Sequence, residues 1–198
     1  MRCYFQNTLH DVYIDGYVET CDVTPFSNNE VIQTSIICPN PFWNEANIQD
    51  ISFSAVDNAF EFPFSASKEG LTLGEIKRTY SKIVSAGNAG GGFIFELHIS
   101  GNVEKPKLYN MTTGEFWGFE NTRIKFYDGD IVRVNTNIGE KNATLIRLYN
   151  ALSLVGDMSD GSSFIQLVPG ENQLMITADS GVENMDVFVK YQKRFLGV

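Results

Sequence analysis

Imidazole chemistry has few places to start in this chain, which carries only His10 and His98. His98 falls inside the run Phe93–Ser100, with no Cys, Asp or Glu set at metal-ligand spacing. Serines are numerous, but no Gly-x-Ser-x-Gly elbow supports a nucleophile. The run Gly87-Asn88-Ala89-Gly90-Gly91-Gly92 invites a phosphate-loop reading. That chemistry needs Gly-Lys-Ser/Thr opening a helix, whereas Gly92 leads into Phe93 and a strand-like run. A flexible connection between strands is expected there. Asp128-Gly129-Asp130 and Asp157 to Asp160 hint at calcium, yet neither completes the alternating oxygen ligands with a terminal Glu. Hairpin turns are expected instead. Cys3, Cys21 and Cys38 fit neither a metal pair nor a CxxC, so free thiols in a reducing cytoplasm are expected. No catalytic residue, metal or cofactor is expected.

The tryptophans are more informative. Trp117-Gly118-Phe119-Glu120 with Arg123 resembles the W-G-x-E-x-R sugar signature of galectins. There the Trp stacks on a sugar face while Glu and Arg hydrogen-bond its hydroxyls. Arg123 stands one position later than that pattern, and a one-residue slip turns a strand side chain to the other face. Trp117, Glu120 and Arg123 form a candidate saccharide site, set against packing of Trp117 at a strand end. Phe42 and Trp43 follow two prolines and are candidates for a subunit contact.

The background is a chain of 198 residues with net charge -9 and 43% hydrophobic residues. That content supports a packed core and argues against intrinsic disorder. The acidic balance disfavours broad nucleic-acid binding, which needs a basic surface. No run of ~18 apolar residues provides a membrane span, and the first residues lack the basic-then-apolar order of a signal peptide. The sequons at Asn110 and Asn142 therefore read as chance matches.

Period two dominates the elements. Phe93, Phe95, Leu97 and Ile99 share one strand face. Val132 with Val134, Leu174 with Ile176, and Val187, Val189 and Tyr191 repeat this alternation. Ile51, Phe53 and Ala55, then Phe60, Phe62 and Phe64, do the same earlier, and the phenylalanines read as ordinary core. Turn pairs punctuate the runs: Asp15-Gly16, Thr113-Gly114, Asp128-Gly129, Asp160-Gly161, Pro169-Gly170 and Ser180-Gly181. Leu73, Ile76, Tyr80, Ile83 and Val84 suit either an amphipathic helix or a strand, and period alone leaves both open. The fold class is all-β, an antiparallel β-sandwich preceded by a small β segment. The prolines near Pro39 mark a boundary, giving residues 1–45 and 46–198. The first block is too small to bury a core alone. It is expected to pack on the main domain, join a neighbouring chain, or be the remainder of a longer domain.

The second half resembles the C-terminal domain of siphophage distal tail proteins, the Dit family. The carrying residues stand in order: Gly92–Gly101 (GFIFELHISG), then Pro106–Asn110 and Thr112–Phe116. Gly129–Thr136 is similar to the family's G-D-x-I-x-I-D-T. Ser163-Phe164 and Leu167–Asn172 are similar to its S-x-(x)-L-x-P-G-x-N, and Val187–Val198 to its final strand. Val31–Trp43 resembles the segment leaving the family's N-terminal domain, with its C-P-x-P-(Y/F). The resemblance implies a galectin-like (jelly-roll type) sandwich over 46–198, with 1–45 the late part of a ring-forming N-terminal domain. It also favours strands over a helix for Gly74 to Ala86. It implies a structural tail-tip (baseplate hub) protein of a phage or prophage, not an enzyme, made in the host cytoplasm and carried in the virion tail. Implied partners are the tail tube protein, the tape measure protein, a tail-associated or receptor-binding protein, and copies of itself in a hexameric ring. The alternative is a carbohydrate-binding module that recognises a host cell-wall saccharide.

Overall fold

The structure is a computed structural model that describes residues 1–23, 31–54, 56–57, 75–76, 80–85, 87–120 and 124–197. Phe60, Phe62, Phe64 and Arg123 lie outside the described residues. The first block supplies β1 (Arg2–Gln6), β2 (Asp11–Asp15), β3 (Tyr17–Val23), β4 (Ile32–Ile37) and β5 (Trp43–Glu45). Then follow β6 (Gln49–Ser54), β7 (Val56–Asp57), β8 (Glu75–Ile76), β9 (Tyr80–Ser85) and β10 (Phe93–Ile99). Next come β11 (Lys107–Asn110), β12 (Glu115–Gly118), β13 (Ile131–Asn135), β14 (Asn142–Arg147) and β15 (Asn150–Ser153). The chain closes with β16 (Gly170–Thr177), β17 (Met185–Tyr191) and β18 (Arg194–Phe195), and two short 3-10 turns at Val155–Asp157 and Val182–Asn184. The all-β expectation holds.

Two antiparallel sheets face each other. One has six strands in the order β15-β14-β13-β10-β17-β6, and the other four in the order β12-β11-β16-β9. The alternation places their core. Phe93, Phe95, Leu97 and Ile99 of β10 are buried, and so are Met185, Val187, Val189 and Tyr191 of β17. Register sets Phe95 opposite Val189 on one side and Val134 on the other, so the inward rows meet across the sheet. From the four-stranded sheet, Leu108, Trp117, Ile83, Leu174 and Ile176 complete the cluster. Five of the turn pairs place their glycine at positive φ, from 75° at Gly114 to 92° at Gly170. The ambiguous stretch is extended where described: β8 pairs with β7, and β9 lies at the edge of the four-stranded sheet.

The first block joins the far end of the chain in a further sheet. A four-stranded sheet runs β1-β2-β5-β18, so the chain's last strand closes on a strand near residue 45. This ties residues 1–45 to the sandwich through Arg194 and Phe195, which pair with Asn44 and Trp43. Strands β3 and β4 make a hairpin of their own.

Candidate functional site

Trp117 is fully buried on the inward face of β12. Phe95 and Phe119 meet its ring edge-on, with centroids 5.1 and 4.9 Å away. No ring face is left for a sugar. Glu120 points to solvent, 4.0 Å from the Lys107 ammonium, and Arg123 is outside the described residues. Of the galectin-like set, Trp117 thus lies inside the sandwich and Glu120 at its surface. The outward aromatic pair of that sheet is Tyr109 and Phe116, stacked at 5.4 Å and half-buried.

The glycine run is not a loose connection. A Cβ at Gly87 would lie 2.3 Å from the Arg194 carbonyl oxygen, and one at Gly92 would lie 2.5 Å from the Asn137 Cα. Backbone bridges from Ala89 to Arg194 and from Gly91 to Leu167 fix it. Here glycine is required for close approach, not for freedom. His98 sits on the outer face of the six-stranded sheet, 3.1 Å from the Glu96 carboxylate and against the Phe188 ring. His10 packs on Phe195 with ring centroids 5.0 Å apart. Among the described residues, no three His, Cys, Asp or Glu side chains converge as a metal site.

Asp130 of the Asp-Gly-Asp turn is buried and structural. Arg147 grips it with Nε–Oδ1 at 2.8 Å and Nη2–Oδ2 at 2.7 Å, and the Tyr127 N–H donates to Oδ2 at 2.8 Å. Burial opposes ionisation, but the Arg147 bonds, the Tyr127 N–H and the Arg147 charge outweigh it and hold the carboxyl below its usual range. A depressed folded pKa contributes stability that is present above the unfolded value and lost as pH falls through the folded one. The urea midpoint is therefore expected to fall as pH drops through and below the ordinary carboxylate range, with Asp130→Asn flattening part of that fall. An unchanged pH profile in the variant would refute this role.

The tail of the Pro-Gly-Glu-Asn run is also structural. Asn172 is buried, accepts from the Val168 N–H at 3.0 Å and donates to the Val168 carbonyl at 2.7 Å. Its Oδ1 also accepts from Asn110 Nδ2 at 3.2 Å, and Asn110 is itself fully buried. The sequon at Asn110 is therefore closed to modification in the folded protein.

Exposed apolar side chains occur in both blocks, and in the first block several gather on one hairpin. Phe42 and Trp43 are half-buried, and Trp43 meets Phe5 edge-on at 6.3 Å. Every residue of β3 is exposed, and most of β4. A register shift between Val18 and Thr20 marks a bulge. Pairing of Val18 with Ile36, Cys21 with Thr34 and Val23 with Ile32 then sets these side chains on one face. Val18, Val23 and Ile32 are 46%, 54% and 65% exposed, so the hairpin presents an uncovered apolar face. Strict alternation fails across the bulge at Glu19, which is why the sequence hid this face. A count that allowed one skipped residue would have found it.

Residues 86–195 match the family described as siphovirus-type tail component, C-terminal domain. The chain belongs to this family. No curated protein matches it. Among solved structures, the tail component is similar to the SPP1 Dit protein, described as a paradigm of the hub adsorption apparatus in phages infecting Gram-positive hosts. The TM-score is 0.62 at 11% identity, over 93% of this chain and 60% of that one. It is also similar to a chain of the phage P2 baseplate in its activated conformation with calcium, with TM-score 0.52 at 14% identity. That match covers 97% of this tail component and 67% of the baseplate chain. These likenesses extend the shared fold beyond the matched domain into the first block.

Proposed function

We propose that this tail component is a structural subunit of a phage or prophage tail tip, lying between the tail tube and the tail-tip or host-adhesion proteins. It acts by assembly and not by catalysis. Its partners are the tail tube protein, the tape measure protein, a tail-associated or receptor-binding protein, and further copies of itself, six to a ring. Synthesis in the host cytoplasm precedes incorporation into the virion tail.

The observation that carries this reading is the β3–β4 hairpin with its uncovered apolar face. A two-stranded hairpin is marginal alone in water and needs a surface to pack on. A patch of this kind marks a contact between chains, and a ring of identical subunits supplies such a surface at every copy. Phe42 and Trp43, which follow β4 in the chain, are assigned to the same contact. A saccharide-binding module would need a free stacking ring, which Trp117 does not provide.

Light scattering at high protein concentration is expected to give a multiple of 22.2 kDa. Val23→Lys with Ile32→Lys, both at exposed positions, is expected to return the subunit mass without lowering the melting temperature. A wild-type chain that stays monomeric would sink the reading.

A further inference from the structure

Arg194 is the exception among the described arginines. Arg2, Arg133 and Arg147 each donate Nε to a carboxylate, at 2.8 Å to Asp15, 2.7 Å to Glu96 and 2.8 Å to Asp130. Arg194 makes no ion pair among the described residues. Its Nη2 donates to Asn137 Oδ1 at 2.9 Å, and its buried Nε–H has no partner. Burial pushes the guanidinium below its ordinary range, since a charge removed from water without a counter-ion is unfavourable. The arrangement is built, not accidental: a Cβ at Gly91 would lie 2.9 Å from the Arg194 Cδ, so glycine there makes room for the side chain.

Arg194 lines a depression of about 110 Å³ with Gly92, Ile94, Asn137 and Lys190. Lys190 is exposed and also without an ion pair among the described residues. Asp50 stands opposite it in register without closing to an ion pair. Glu140 acts on Arg194 through space, but its carboxylate accepts from Asn135 Nδ2 at 3.2 Å. The slot thus gathers two cations and no paired acid. A planar carboxylate matches the guanidinium fork, and hydrogen bonds between the two ions are stronger than neutral ones.

We propose that Arg194, held by Asn137 and joined by Lys190, is a carboxylate-binding site. The site belongs to the single chain and does not depend on ring formation. Its occupant is a free carboxylate or an acidic side chain of another polypeptide, which share this chemistry.

The test follows the arginine Nε–H signals of isotope-labelled protein by nuclear magnetic resonance, with acetate as the probe at constant ionic strength. The Arg194 signal, assigned by its loss in Arg194→Lys, is expected to shift saturably while Arg2, Arg133 and Arg147 stay still. Lys190→Ala is expected to weaken the acetate response several-fold with an unchanged melting temperature. In acetate-free buffer, an Arg194 signal that moves with protein concentration, a dependence that saturating acetate abolishes, supports the site with a second copy's acid as occupant. A concentration-independent signal that still responds to acetate supports it with a free carboxylate. No saturable shift, an equal shift with chloride, or a response to phosphate alone overturns the site.

Discussion

Trp117→Ala is expected to lower folding stability by about 3–5 kcal/mol, because it removes a large buried aromatic and leaves a cavity. The residue is fully buried and lies between Phe95 and Phe119, whose edge-on contacts it would lose together. For a domain of this length, that loss corresponds to a fall in melting temperature of about 10 °C. Trp117→Phe is the sharper control. The indole Nε1–H is buried with no acceptor, so phenylalanine deletes an unpaired donor while keeping most of the ring. Its cost should be well below that of alanine. A thermal melt of both variants decides between packing and a sugar platform. A platform residue would lose glycan binding with a nearly unchanged melt, and that result would end the core assignment.

Some of this fold was legible in the residues, and the limits have physical causes. Side chains alternate across a strand with period two, so the inward rows of β10 and β17 could be read directly from Phe93–Ile99 and Val187–Tyr191. The turn glycines were legible for a similar reason, since positive φ selects residue type locally. Strand order was not legible, because pairing depends on partners far along the chain. The return of Arg194 and Phe195 to Asn44 and Trp43 spans most of the sequence, and no local signal announces it. The direction in which Trp117 points was readable only from register, where it stands opposite Leu108 and so shares its inward face. The buried pair Asn110 and Asn172 was invisible for the opposite reason. Asparagine is ordinary near turns, and only the pairing of two distant strands, β11 and β16, makes this pair structural. The Arg194 slot escaped detection because an unpaired charge is a property of surroundings, not of the residue.

Gly92→Ala is expected to cost about 3 kcal/mol or more, at or above the usual range for overpacking. The new Cβ would lie 2.5 Å from the Asn137 Cα, 2.6 Å from the Asn137 N and 2.6 Å from the Thr136 carbonyl oxygen, all backbone atoms. A flexible side chain could swing away, but this stretch cannot. Thr136 is buried, its Oγ1 accepts from the Phe93 N–H at 2.8 Å, and its own N–H donates to the Phe93 carbonyl at 2.9 Å. Relief of the clash would have to break that lock and move the start of β10, whose Phe93 and Phe95 stand at the centre of the core. Gly156→Ala is the matched control, because a Cβ there meets nothing within 4 Å. It is expected to be neutral or stabilising by up to about 1 kcal/mol, through a less disordered unfolded chain. Chemical unfolding of the two variants side by side separates close packing from backbone freedom. Equal, small effects at both positions would mean that the glycine run is a loose connection after all. The same result would remove the scaffold on which the Arg194 guanidinium is held.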